Sequence, residues 1–154
     1  MDEYIINSST LLIKCNLFNK KKTKIYEGIK EFFVSVDSNS IILDSCEFYG
    51  CPYAGRLEAS KKMLNLAIKL PIVIEDTKNI IFFPTKAFEN DNCIWISFNN
   101  LDSIERIKND STKCKLIFKN NKKVEIDTSY DIIDRQIYNC LKLEKEMAKR
   151  REKA

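Results

Sequence analysis

Hydrophobic and polar residues alternate along much of the N-terminal third, where β-branched and aromatic side chains are separated by short polar breaks. Such alternation predicts strands with one buried face, and the breaks at residues 19–22 and 37–40 predict the turns between them. The first third is therefore expected to form antiparallel sheet. The predicted strands are residues 4–6, 10–17, 24–27, 31–36 and 41–49.

The rest of the chain combines two helical patterns with further strands. One helix is predicted over about residues 56–69, and a second, amphipathic helix begins after Ser129, a favoured N-cap residue, and ends in the basic run 149–151. Asn120 and Asn121 lie between two apolar runs and predict a hairpin turn, because asparagine tolerates positive φ. Strands are predicted at residues 72–75, 80–83, 93–98, 114–119 and 123–127, with a looser extended stretch over 101–107.

No internal repeat or linker-like segment divides the 154 residues, so a single domain is predicted over residues 1–154. Runs of strands with one internal helix and one C-terminal helix are typical of the α+β class, here with mainly antiparallel sheet. We expect a curved or barrel-like sheet capped by the C-terminal helix, as in pleckstrin-homology-like folds.

Composition excludes many enzyme designs. The chain has no histidine, which removes Ser-His and Cys-His nucleophilic sites, histidine-ligated zinc and histidine acid-base catalysis. No paired-carboxylate or phosphate-loop motif is evident, and the six cysteines lack the spacing of a zinc site. We therefore predict no enzyme activity, no metal and no cofactor. One alternative stays open, a reactive Cys51 beside Pro52, whose thiol would need a lowered pKa.

Charge and the N-terminal residues bear on location and partners. The acidic start lacks the basic and apolar parts of a secretory signal, and no apolar run approaches the roughly 18 residues of a membrane span. A cytoplasmic protein with reduced thiols and no membrane contact is expected. The net charge of +4 suits a polyanionic partner without requiring one.

Two of the three glycines, Gly50 and Gly55, flank Pro52 and Tyr53 within six residues. Glycine permits positive φ or close approach of another group, and proline fixes φ, so a rigid and specifically shaped segment is predicted. The alternative is an ordinary turn that joins a strand to a helix.

Basic residues follow this segment and also form a separate run nearer the N-terminus. We expect the guanidinium of Arg56 to project outward beside a basic helical face that carries Lys61 and Lys62. The separate run is Lys20, Lys21 and Lys22. The alternative interpretation of Lys61 and Lys62 is a solvated helix face, and that of the separate run is a solvated hairpin tip. Residues 149–151 could instead be a helix end whose positive charges complement the helix dipole.

Trp95, the single tryptophan, alternates with Cys93 and Ser97 along a predicted strand. Since such a residue shares one sheet face with its alternate neighbours, Trp95 is predicted to lie in the core rather than to form a base-stacking platform. Phe83 and Pro84 likewise indicate a core strand that ends at its proline.

Several short segments, in the same order along the chain, resemble the ComK family of competence transcription factors. Weaker similarities at Phe118-x-Asn120, Ser129-Tyr130 and Gln136 extend the resemblance over about residues 4–145. The main segments are Ser45-Cys46-Glu47-Phe48-Tyr49-Gly50, Tyr53-Ala54-Gly55-Arg56, Pro71-Ile72, Phe83-Pro84-Thr85 and Cys93-x-Trp95-Ile96-Ser97.

The resemblance implies a regulator that activates transcription by binding double-stranded, AT-rich promoter DNA, chiefly through the minor groove, as a homo-oligomer on paired sites. It also implies contacts with RNA polymerase and with a proteolytic adaptor. A narrow A/T minor groove has a negative potential that attracts arginine, which is less strongly hydrated than lysine. The expected DNA-binding residues are Tyr53, Gly55, Arg56, Lys61 and Lys62, with Lys20, Lys21 and Lys22 as peripheral phosphate contacts.

Some positions depart from the family pattern, namely the Cys51-Pro52 pair, Leu57 and Ile94. Typical members also carry a C-terminal extension implicated in activation and adaptor-mediated proteolysis, so a shortened or divergent member is expected in which both functions are open. The rival interpretation is a non-enzymatic, pleckstrin-homology-like interaction module that binds an acidic peptide or an anionic lipid through the same basic face.

Overall fold

The computed structural model describes residues 2–19, 21–90 and 92–154, in which the strands form two open antiparallel sheets. The elements in chain order are β1 (Thr10–Cys15), β2 (Thr23–Glu27), β3 (Lys30–Val34), α1 (Ser38–Phe48), α2 (Tyr53–Leu64), β4 (Ile72–Glu75), β5 (Ile80–Pro84), β6 (Ile94–Ser97), β7 (Leu101–Ile107), β8 (Asp110–Phe118), β9 (Lys123–Ile126) and α3 (Tyr130–Glu152). The larger sheet has the strand order β3-β2-β1-β6-β5-β4, and the smaller sheet has the order β7-β8-β9.

The larger sheet buries both of its faces, because successive side chains of a strand point in opposite directions. On one face Ile13 of β1 packs in a core with Ile41 of α1. On the other face Leu12 packs with Leu116 of β8 and Leu143 of α3. Helix α2 lies beside the edge strand β4 and contacts both α1 and α3. This places α2 between α1 and α3 at the edge of the larger sheet.

The predicted α+β class with mainly antiparallel sheet is confirmed, although the sheets of the described residues do not close into a barrel. The predicted hairpin joins β8 to β9, and Asn121 adopts a φ of 70° in its turn. The predicted N-cap of the last helix is also confirmed, since the Ser129 hydroxyl accepts a hydrogen bond from the backbone N–H of Ile132 at 3.3 Å.

The strand predicted at residues 41–49 is wrong, because this segment lies in helix α1. Its buried side chains are Ile41, Ile42, Ser45 and Cys46, a spacing that follows one face of a helix rather than alternating. Asp37 begins the helix by accepting a hydrogen bond from the Ser40 N–H at 2.9 Å. The described part of the chain therefore has two internal helices, where the sequence predicted one.

Two further boundaries differ from the prediction. Residues 4–6 form no strand; Tyr4 and Ile6 are nevertheless buried, and the Ile6 N–H donates to the Ser45 hydroxyl at 2.9 Å. Helix α2 begins at Tyr53 and ends at Leu64, whereas the pattern predicted a helix over residues 56–69. Asn65 ends the helix early by adopting a left-handed φ of 54°.

Candidate nucleic-acid interface

The segment between α1 and α2 has the special backbone that its glycines and proline predict. Gly50 adopts a φ of +96°, and the N–H of Cys51 donates to the carbonyl of Cys46 at 3.2 Å. Pro52 follows as the N-cap residue of α2. The chain thus reverses between two helices rather than passing from a strand to a helix.

Gly55 has a different role from Gly50. It lies within α2, and a Cβ added there would meet the Sγ of Cys51 at 3.2 Å. That contact is tighter than ordinary van der Waals packing, so glycine lets the first turn of α2 approach the Cys51 side chain closely. The contact with Cys51 explains this glycine by packing, and the residue itself is exposed at the start of α2.

Arg56 is half-buried, so it does not project freely from the surface. Its Nε is enclosed and has no hydrogen-bond partner among the described residues. Burial raises the pKa of the Cys46 thiol to about 12, and the positive charge of Arg56 partly opposes that rise. The guanidinium therefore lies near the C-terminal end of α1.

A groove between α2 and α3 brings Arg56 together with two arginines that are distant in the sequence. Arg56 lines this groove of about 190 Å³ with Arg150 and Arg151, both of which are exposed. Three of the five arginines of the chain therefore meet at one place. We call Arg56, Arg150 and Arg151 the arginine cluster.

The sequence interpretation left Arg150 and Arg151 out of the site, although one signal could have included them. Met147 is buried, and residues three and four positions later in a helix lie on the same side as it does. Arg150 and Arg151 occupy those positions, so they flank the packed face of α3 rather than its solvated back.

The arginine cluster differs from Arg106, whose charge is compensated within the chain. Arg106 donates to Asp131 at 3.0 Å and lies 4.2 Å from the centre of the Tyr130 ring. Within the described residues, no member of the arginine cluster forms an ion pair. The cluster therefore concentrates positive charge without an ion pair, although the carboxylate of Asp76 lines the same groove.

The other residues predicted on α2 do not share the face of Arg56. Tyr53 and Lys61, spaced by eight residues, line a separate cavity on another side of the helix. The Tyr53 ring stacks on Phe88 with 4.8 Å between ring centres, and burial raises its pKa to about 12. Lys62 is exposed near the end of α2. The structure thus divides the predicted basic face between two sides of the helix.

The lysine run of the β1–β2 turn lies away from the arginine cluster. Lys21 and Lys22 are exposed there, and Lys20 lies outside the described residues. The strand that follows begins at Thr23, whose hydroxyl contacts Ser38 at the start of α1. Since Arg56 lies near the other end of α1, the two basic groups are separated by about the length of that helix.

Comparison with known proteins decides the family. A family model described as ComK protein matches residues 1–152. The chain belongs to the ComK family. It is also 28% identical over 139 residues to the competence transcription factor of Bacillus subtilis strain 168, an alignment that covers 90% of this chain and 71% of that protein. No solved structure matches it significantly.

Four features of this ComK family member bear on the alternatives raised above. Trp95 is 1% exposed, which confirms the prediction that it lies in the core. Five of the six cysteines are buried, and Cys51 is half-buried. Across residues 2–19, 21–90 and 92–154, no group of three or more cysteine or carboxylate side chains is placed to hold a metal, and no helix has both the length and the apolar character to cross a bilayer.

Proposed function

We propose that this ComK family member is a transcription regulator of competence-type genes that binds AT-rich promoter DNA, chiefly through the minor groove. Membership of the family and similarity to a competence transcription factor support the regulatory part of the proposal. The arginine cluster supports the DNA-binding part, because it gathers three guanidinium groups that form no ion pair among the described residues and share their groove with one carboxylate, that of Asp76. We propose no catalytic role.

The arginine cluster has the chemistry that A/T-rich duplex attracts. A narrow A/T minor groove concentrates negative potential, and proteins exploit it by inserting arginine. Arg150 and Arg151 are exposed at the end of α3, so they are the members that reach outward, whereas Arg56 forms the floor between the helices. We therefore assign direct contact with DNA to Arg150 and Arg151, and we assign to Arg56 an added positive charge between the two helices.

The remaining predicted residues receive peripheral roles in this proposal. Lys62 on α2 and the lysines of the β1–β2 turn, Lys20 to Lys22, are assigned to phosphates, which position a protein without reading sequence. Tyr53, Gly55 and Lys61 are assigned to shaping α2, because Tyr53 and Lys61 line the separate cavity and Gly55 packs on Cys51.

The decisive measurement is fluorescence anisotropy of labelled duplexes that differ only in having A/T or G/C blocks. We expect salt-sensitive preference for the A/T duplex, and we expect Arg56→Ala or Arg150→Ala to weaken that binding by about 1–3 kcal/mol. Arg56→Lys keeps the positive charge and should bind the A/T duplex more tightly than Arg56→Ala. It should still bind less tightly than the wild type, because lysine is more strongly hydrated than arginine.

The matched control is Arg135→Ala. Arg135 is exposed on the same helix, fifteen residues before Arg150, which corresponds to about 22 Å along the helix axis. The Arg135→Ala variant should bind the A/T duplex with an affinity within about twofold of that of the wild type. If a variant lacking all three cluster arginines keeps its urea unfolding midpoint and binds the A/T duplex like the wild type, the proposed interface is wrong.

Binding measurements on the same protein samples distinguish DNA binding from the rival interpretation, a non-enzymatic interaction module. An interaction module for anionic lipid would bind phosphatidylserine vesicles while showing no affinity for duplex, and one for an acidic peptide would bind a polyglutamate peptide instead. We expect duplex binding at salt concentrations where neither competitor binds.

We also propose that the protein binds as a homo-oligomer on paired A/T boxes, and that it contacts RNA polymerase and a proteolytic adaptor. The family resemblance supports these partners. Sedimentation velocity on duplexes with one or two A/T boxes tests the first point, since paired binding predicts a larger complex on the two-box duplex and non-cooperative monomers do not.

A further inference from the structure

A second cavity lies on the side of α2 away from the arginine cluster. It has a volume of about 340 Å³ and is enclosed by α2, the loop between α2 and β4, and the loop between β5 and β6. Its apolar walls include Tyr53, Leu57, Phe88 and Trp95. This volume lies at the lower end of the range for small-molecule sites, which are also mostly apolar.

The walls of this cavity are held in place by contacts that do not involve a ligand. Phe88 stacks on Tyr53 and meets the Trp95 ring edge-on at 6.3 Å, and its carbonyl accepts a hydrogen bond from Asn39 at 2.8 Å. On the opposite side, the Gln136 amide donates to the carbonyls of Lys69 at 2.9 Å and Pro84 at 2.7 Å. The chamber is therefore preorganised by two separate elements, α1 and α3.

Trp95 lines this cavity, but its indole N–H does not face the open space. Its Nε1–H is buried and has no hydrogen-bond partner among the described residues. An indole N–H can only donate, and a buried donor without an acceptor is uncommon in native proteins because its desolvation is not offset. Because a water molecule does not reach this nitrogen, it is closed to a molecule in the cavity, and the indole offers a ligand only apolar surface.

The charged residues of the lining indicate the charge of a ligand that would suit the cavity. Lys61 and Lys69 line the cavity together with a single carboxylate, Glu89. Neither lysine forms an ion pair in the part of the chain that the structure describes. The cavity therefore carries an excess of one positive charge beside apolar walls.

We propose that this cavity binds a small carboxylate with an apolar body, either a single aromatic ring or a branched alkyl chain. The carboxylate is neutralised by Lys61 or Lys69, and the apolar body packs against Tyr53, Leu57 and Phe88. A phosphate fits less well, because its additional charge and oxygens would enter an apolar chamber whose lining carries an excess of only one positive charge.

The single tryptophan makes the proposal directly testable, because Trp95 is the only source of tryptophan emission in the chain. The intact protein is titrated with phenylacetate, 4-methylpentanoate, acetate and the neutral analogue phenylacetamide. We expect a saturable change in emission with at least one of the two apolar carboxylates, and affinity about tenfold weaker or worse for phenylacetamide and acetate.

Lysine variants assign the charge. Lys61→Met and Lys69→Met should each reduce the preference for the carboxylate over its amide about fivefold or more. Lys62→Met is the matched control, since Lys62 is exposed, adjacent to Lys61 and absent from the cavity lining, and it should bind like the wild type.

Two results would overturn the proposal. One is the absence of a saturable change with either apolar carboxylate at millimolar concentration. The other is binding that is unaffected when Lys61 and Lys69 are replaced together in a protein that keeps its unfolding midpoint. Neither measurement involves DNA, so failure here is distinguishable from failure of the proposed function.

Discussion

At the scale of single residues, Gln136 shows how a buried polar side chain can organise a region that sequence patterns describe poorly. It is 2% exposed in the middle of α3, where apolar residues would be expected on the packed face. Its amide nitrogen donates to the carbonyls of Lys69 and Pro84, and its oxygen accepts from Asn139 at 3.0 Å. One side chain thus ties α3 to a loop and to a strand end.

Gln136→Met should lower the free energy of unfolding by about 1–3 kcal/mol. Methionine has a similar volume, but it leaves the carbonyls of Lys69 and Pro84 without their donor, and unsatisfied buried polar groups carry that cost. Urea unfolding followed by circular dichroism measures the change. Arg135→Ala, on the adjacent exposed position, should change the free energy by less than about 0.5 kcal/mol. Equal effects of the two substitutions would contradict the role given to Gln136.

At the scale of elements, α1 is the clearest departure from the sequence interpretation. Its residues include Ile41, Ile42 and Phe48, side chains that favour strands, and the polar run before it resembles a hairpin turn. Tertiary packing overrides that preference, because Ile41, Ile42 and Cys46 cover one face of the larger sheet only in a helical arrangement. Asp37, interpreted as part of the turn, instead begins the helix.

Asp37→Ala should destabilise the protein by about 0.5–2 kcal/mol, because the N-cap carboxylate satisfies the Ser40 N–H that α1 otherwise leaves unpaired. The measurement is the urea midpoint at constant m-value. The matched control is Asp44→Ala, which removes the same charge from an exposed position inside α1 and should not destabilise. A larger loss at Asp44 than at Asp37 would show that the capping argument is incorrect.

The elements that the sequence does predict are those whose local signals agree with their packing. The β8–β9 hairpin has a turn residue that accepts positive φ, and α3 has both its N-cap and an amphipathic pattern. Helix α2 has a weaker pattern, because it contacts α1, α3 and β4 and so has no single apolar face. Its predicted end, residue 69, was therefore five residues too late.

At the scale of the whole molecule, the candidate site depends on contacts that no local pattern encodes. The spacing around Gly50 and Gly55 correctly predicted a specially shaped segment leading to Arg56. The neighbours of Arg56 come from α3, almost one hundred residues later, and they become neighbours only because α2 and α3 pack together at the edge of the sheet. Conversely, Lys61 is close to Arg56 in sequence but lies on another side of α2.

The two sheets are joined at their rim by a charged group centred on Glu31. This carboxylate accepts from Lys24 of the neighbouring strand β2 at 3.1 Å and from Lys122 of the β8–β9 turn. Close by, the Asn120 amide donates to the Gly28 carbonyl at 3.1 Å. Because Lys122 and Asn120 lie in the β8–β9 turn of the smaller sheet, these contacts help to fix the position of one sheet relative to the other.

Glu31→Gln should reduce stability at neutral pH but not in acid. Lys122, and then Lys24, lower the pKa of the Glu31 carboxyl, so the unfolded chain binds a proton more readily than the folded one. The contribution is therefore complete above the ordinary glutamate pKa of about 4.3 and is lost as the pH falls through the lower folded value. Since Glu31 is partly exposed, solvent screening limits the loss to about 1 kcal/mol.

Urea unfolding near neutral pH and near pH 3, at low and at roughly 1 M salt, tests this dependence. The difference between wild type and Glu31→Gln should be largest at neutral pH and low salt, and should shrink toward zero in acid. Glu125→Gln is the control, because Glu125 is exposed on β9 and forms no ion pair among the described residues. A Glu31→Gln deficit that is the same at both pH values would mean that packing, rather than charge, links the sheets at this rim.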